Sequence, residues 1–197
     1  TCAQVYLNGS FTKVFPMPDK TRARVRQTLT DFANDVGIPD TLVMDLAPEQ
    51  AGKHTDMQKE ARRLRVRIRF TEKGRSEQNH TAEGKIGQLK RRWKHRMTTR
   101  NVPRCLWDYG LVHEAEVLSI LARGKDQVPG LEKVLGQTID ISEYLDFGIW
   151  DLVWYWDQSK TSDMSDEQKK LGRWLGIAHR VGSKMTYWIL TEHCKVI

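Results

Sequence analysis

Cysteine is scarce in this chain. Cys2, Cys105 and Cys194 stand far apart and form no CxxC pair, which argues against a disulfide framework and a cysteine-based zinc site and suits a reducing compartment. No apolar run reaches membrane-spanning length and no signal peptide opens the sequence, so a membrane protein is not expected. Internal repeats and low-complexity tracts are also lacking, which sets repeat architectures aside. The first residue is Thr1 rather than Met, and an apolar run starts at once. The expectation is therefore a piece of something longer.

What is present bounds the rest. A length of 197 residues suits one domain plus a small appendage. Hydrophobic residues at 39% and seven tryptophans suffice for a real core. A net charge of +7 and a pI near 9.4 point to an acidic partner, nucleic acid first.

The basic residues cluster in one stretch, Thr71 to Arg100. It opens as a polar loop and continues as a helix with one acid, Glu83, ahead of Lys85, Lys90, Arg91, Arg92, Lys94, Arg96 and Arg100. Ala82, Ile86, Leu89 and Trp93 recur at helical spacing and predict a buried stripe. Glu83, Gly87, Lys90 and Lys94 form a second stripe beside it. A lone acid at the head of a basic face has two readings: a metal ligand placed where phosphates will lie, or a solvated amphipathic helix whose acid suits the helix dipole.

Along the chain, Cys2–Leu7 and Phe11–Phe15 flank Asn8-Gly9-Ser10 and predict a hairpin, with Pro16 and Pro18 ending its second strand. A helix is predicted from Asp19, with Val25, Leu29, Phe32, Ala33 and Val36 inward and Gly37 and Pro39 closing it. Thr41–Met44 is a short buried strand ending on Asp45. Thr55 can cap a helix from Asp56 to about Leu64. Val66–Phe70 alternates like an edge strand. The basic helix follows, and another runs roughly from Arg104 to Ala122. The order predicts a mixed α/β sheet covered by helices. Residues 1–122 form this core, 123–143 a polar connector, and 144–197 a small β-rich module with many aromatics, including Trp150, Trp154, Trp156, Trp174 and Trp188. For Trp154, Trp156, Trp174 and Trp188, packing of the module is the plainer use; stacking on bases is the other.

The segments VGIPDTLVMDLAPEQAG, TEKGRSEQNHTAEGKIGQLKRRWKHRM, VPRCLWDYGLVHEAEVLS, GQTIDISEYLDFGIWDLVWYWD and LGRWLGIAHRVGSKMTYWILTEHCKVI, in that order, resemble the integrase region of copia-type LTR retrotransposon polyproteins. The resemblance covers nearly the whole chain. It implies an RNase H-like integrase core lacking its first strand, followed by the β-rich module. It also implies an Asp, Asp, Glu triad, in which Asp45 matches the second Asp and Glu83 the Glu, with 37 residues between them. The family places the first Asp on a strand ahead of the hairpin, a place that falls before Thr1, and the family's N-terminal zinc-binding module has no counterpart either. Pro48 departs from the glycine the family often carries near its Asp.

The implied chemistry is phosphodiester strand transfer with two Mg²⁺ (or Mn²⁺) ions about 3.5–4 Å apart, held by carboxylates from separate elements. Catalytic and metal-ligand roles are thus expected for Asp45 and Glu83. Without the first Asp, activity of this stretch is expected to be absent or very weak. Lys90 and Lys94, on the face of Glu83, and Lys85 and Arg91 are the expected DNA contacts, neutralising phosphate without reading sequence. Expected partners are retroelement ends and target DNA, with a homo-oligomer in the intact parent, in the nucleus and away from membranes. Two other readings stay open: a nucleic-acid-binding module without catalysis, and a protein-interaction domain using its tryptophan-rich tail.

Overall fold

Strands β1 (Cys2–Asn8) and β2 (Phe11–Met17) pair antiparallel, with Asn8 opposite Phe11. Gly9 opens the two-residue turn at φ +59°, a conformation that favours glycine. The computed structural model describes residues 2–44, 55–71, 80–121, 127–156, 169–182 and 184–197. β2 runs on through Pro16, which was expected to end it. Pro16 faces Ala3 at a pair without mutual hydrogen bonds, so its missing N–H would have pointed to the outer edge, where proline is tolerated.

Helix α1 (Arg22–Asp35) buries Val25, Thr28, Leu29 and Phe32, at helical spacing. Strand β3 (Thr41–Met44) pairs in parallel with β4 (Arg67–Phe70), and helix α2 (Asp56–Arg63) belongs to the crossover between them. Thr55 caps α2 by accepting a hydrogen bond from the Gln58 N–H at 3.4 Å. The two strand pairs and two helices share one core, in which Tyr6 stacks on Phe32 at 4.7 Å beside Leu29, Met44, Met57 and Val66.

A single mixed sheet was expected. The strands instead form two separate two-stranded sheets among the described residues. The outer edge of β2 is occupied by a side chain: Ser119 accepts the Thr12 N–H at 2.8 Å and sits 2.9 Å from the Thr12 carbonyl. The alternation of antiparallel pairing turns the peptide groups of Ala3, Val5 and Leu7 to the other edge. No strand pairs there among the described residues.

Helix α3 (His80–Thr99) is the long basic helix. Asn101 at φ +52° and Pro103 end it. The next helix begins as a single 3-10 turn, Arg104–Leu106, and continues as α4 (Trp107–Ile120). The connector is more than a polar tether. Helix α5 (Gly130–Leu135) lies within it and packs Leu131 and Val134 on the first core. Gly130 permits this, since a Cβ there would come 2.4 Å from the Phe11 nitrogen.

Strands β5 (Leu152–Trp156), β6 (Lys169–Ile177) and β7 (Tyr187–Thr191) form an antiparallel sheet in chain order. Trp174, fully buried, joins Ile149, Val153 and Ile177 to Trp93 of α3 in a second core. The C-terminal sheet is thereby seated on the helices rather than hanging from them.

Candidate nucleic-acid interface

The interface is built on α3. Leu89 and Trp93 are buried and Ala82 and Ile86 half-buried, so the predicted stripe is the inward one. Its position is held by Gly110 of α4, where a Cβ would lie 2.3 Å from the Trp93 ring. Only glycine lets the indole lie flat against α4 at that point. With its inward face tied down, α3 presents its remaining faces in fixed directions.

Glu83 is exposed in the first turn of α3, where the dipole favours an acid. Its carboxylate meets no hydrogen-bond or ion-pair partner among the described residues. Lys90 and Lys94 are exposed on the same flank, roughly 10 and 16 Å further along the axis at 1.5 Å per residue. Arg91 is exposed on the outward face, and Lys85 is half-buried half a turn from Glu83.

Asp45 lies outside the described residues. What is described is the strand leading into it. β3 and β4 run parallel, so both deliver the chain to the same edge of their sheet, and the Thr71 N–H donates to the Met44 carbonyl at 3.0 Å there. From that edge the chain goes on to residue 45 after β3, and to α3 after β4. Among the described residues no group of three His, Cys, Asp or Glu side chains could hold a metal ion, and no helix is long and apolar enough to cross a membrane.

Arg92 and Arg96 have a role that sequence reasoning missed. Both turn to Glu114 of α4, which is completely buried. Arg92 donates through Nε to one carboxylate oxygen at 3.0 Å, and Arg96 through Nε to the other. A buried carboxylate is costly unless it is paired and hydrogen-bonded, and this one has both oxygens satisfied. The signal lay in an acid on the apolar helix at the inward positions Glu114–Ala115, 18 and 22 residues from its partners.

The seam between helices and C-terminal sheet is also polar. His179 Nε2 is 2.7 Å from Glu116 Oε1, and that hydrogen bond raises the His179 pKa against the opposing effect of burial. Arg180 grips Asp35 of α1 with two contacts at 2.9 Å. Arg100, at the end of α3, pairs with Asp151 and donates to the Ile149 carbonyl at 3.2 Å. His113 is buried beside Trp174, ring centres 5.3 Å apart, and burial lowers its pKa.

The tryptophans divide. Trp174 packs, as expected. Trp154 and Trp156 do not: they are 67% and 57% exposed on one face of β5, with Leu152 beside them. Strand alternation turns Val153 inward and leaves these three out. Lys169 stands opposite Trp156 and Leu171 opposite Trp154.

No family model matches the sequence, and none of the curated proteins compared with it is similar. Among solved structures, the chain is similar to a chain of the simian T-cell lymphotropic virus intasome, determined in complex with the PP2A regulatory subunit B56 gamma. The TM-score is 0.56 at 11% identity, over 91% of this chain and 72% of that one. At that identity the likeness concerns the fold. The chain is a mixed α/β structure with a small C-terminal β-sheet, and its fold is integrase-like.

Proposed function

We propose that this chain is the catalytic-core and C-terminal region of a retroelement integrase, of the copia type its sequence segments resemble, and that it acts on DNA. The observation that carries this reading is α3: an exposed acid at its head, a basic flank leading away from it, and a buried stripe that fixes both on an integrase-like fold. The chain it resembles comes from a viral intasome. By analogy this chain would work in a homo-oligomer on DNA ends, in the nucleus.

In this reading Asp45 and Glu83 are the ligands of Mg²⁺ or Mn²⁺. The ions, when bound, supply charge for the attacking and leaving oxygens of a phosphodiester displacement. The protein's own part is to bring DNA to Glu83. Lys90 and Lys94 neutralise successive phosphates on that flank, with Arg91 and Lys85 adding positive charge around it. The third acid of the family pattern belongs on a strand beside β1, toward whose outer edge the peptide groups of Ala3, Val5 and Leu7 turn.

The exposed Trp154 and Trp156 favour a second reading, a nucleic-acid-binding module without catalysis, in which their rings stack on unpaired bases. One assay separates the two. Mn²⁺-dependent nicking of supercoiled DNA that disappears in Asp45→Asn and in Glu83→Gln supports the enzyme. Salt-sensitive binding without any nicking, even after an upstream strand bearing an Asp is supplied, leaves the binding module. A chain that binds no DNA at low salt ends both and leaves a protein-interaction domain.

A further inference from the structure

α3 has a second basic flank. Arg92, Arg96 and Thr99 lie about half a turn around the helix from Glu83, Lys90 and Lys94, with the buried stripe between the two flanks on the inward side. A cleft of about 300 Å³ opens on this second flank, lined by Arg92, His95, Arg96, Thr99, Arg100 and Glu114.

The floor of the cleft is built rather than accidental. Glu114 is fully buried and takes one Nε–H from each arginine. A guanidinium has five N–H donors, so four remain on Arg92 and four on Arg96. Among the described residues no other acceptor meets either group. Their side chains are only 33% and 27% exposed. Two part-buried guanidinium groups are thus held through their Nε by one buried carboxylate, and both arginines line the cleft. Arg100 adds a third cation, itself paired with Asp151. Three cations against two carboxylates leave one positive charge in excess. Thr99 turns its hydroxyl back to the carbonyls of His95 and Arg96, so it forms wall rather than donor.

Arginine forks match a tetrahedral or planar oxyanion bidentately. Glu114 holds the forks in place, so little side-chain freedom is lost when an anion arrives. We propose that the Arg92–Glu114–Arg96 arrangement is a preformed phosphate site that takes a backbone phosphodiester of a nucleic-acid segment different from the one facing Glu83. A helix with its side chains is about 10 Å across, which separates the two flanks by more than one strand's width. The identification of the anion with nucleic acid rests on the function proposed above; the existence of the site does not.

The test uses the full chain, inorganic phosphate and a short DNA duplex. Phosphate should shift the Nε–Hε NMR signals of Arg92 and Arg96 saturably and leave those of Arg22 and Arg24 unmoved. His95→Glu, at an exposed position, sets an acid at the mouth without touching the buried triad and should abolish that response. The triple swap Arg92→Met, Glu114→Leu and Arg96→Met replaces the ion triad by apolar side chains of similar bulk, an exchange that proteins often tolerate. It too should lose phosphate binding, and in either variant the slope of log K against log salt for the duplex should fall by about 1. Unmoved arginine signals, or phosphate binding that survives His95→Glu, would overturn the site. Phosphate binding with an unchanged DNA slope would overturn its assignment to a nucleic-acid backbone. If the chain binds no duplex at all, the proposed function fails, and the phosphate titration still decides whether the site exists.

Discussion

The indole of Trp93 on α3 lies against Gly110 on α4, so closely that a Cβ on Gly110 would stand 2.3 Å from two ring atoms. This one contact sets how near the two helices come. It therefore sets where the basic flanks of α3 point and where the C-terminal sheet, which shares a core with Trp93, can sit.

Gly110→Ala should consequently destabilise the chain, although alanine favours helix over glycine by about 1 kcal/mol. Overpacking a close-packed site costs about 1–3 kcal/mol, and here the opposing group is a buried ring that cannot swing away. A net loss of about 2 kcal/mol in urea unfolding is expected, with partial recovery in the double variant carrying Trp93→Leu. An unchanged or higher midpoint for Gly110→Ala would show that the helices are free to part.

The triad of Glu114 with Arg92 and Arg96 should respond asymmetrically. Removing both arginines leaves a buried carboxylate with no partner, a situation that costs about 3–5 kcal/mol. Glu114→Ala leaves two arginines that can turn to water, so its cost should be visibly smaller. Thermal unfolding of Arg92→Ala/Arg96→Ala beside Glu114→Ala reads the order, and equal losses would contradict the burial that distinguishes the partners.

Stability should depend on pH through His179. Its pKa is raised in the folded chain by the hydrogen bond to Glu116, with Glu143 assisting and burial and Lys13 opposing. Folding therefore favours the protonated form. The contribution is whole below the ordinary histidine value of about 6.5 and is lost as pH rises through the raised folded value. His113 acts in the opposite sense: burial lowers its pKa, so protonating it penalises the folded state as pH falls below about 6.5. Comparing wild type with His179→Gln isolates the first effect. The gap in melting temperature should be widest in mild acid and close as the solution is made alkaline. A gap that widens instead would reverse the sign assigned to the pair.

Lys90 and Lys94 are the test of the flank that carries Glu83. Each alanine substitution should reduce the slope of log K against log salt for duplex DNA by about 1, equally for unrelated sequences. Both side chains are exposed on α3, so melting temperature should hardly move. Sequence-dependent losses would mean that they contact bases rather than phosphates.

Much of this architecture could be read from local pattern. The hairpin around Gly9, the cap at Thr55, the strands on either side of α2 and the inward stripe of α3 all depend on neighbours a few residues away. Side-chain periodicity and turn chemistry report such neighbours directly. Pro16 was misread because a proline's tolerance depends on which edge of a strand its missing N–H faces, and that is set by the partner strand. Trp154 and Trp156 were misread for a related reason: alternation says which residues share a face of β5, but not which face finds a partner.

The order of elements, the basic helix and its lone acid at the head were thus written in short-range spacing. Long-range packing settled the rest. Glu114 became the anchor of two arginines from another helix, Ser119 closed the edge of β2, and Gly110 became the seat of Trp93, because each acts on a residue brought to it by the fold. No periodicity along a chain encodes a contact between helices whose meeting depends on every core residue between them.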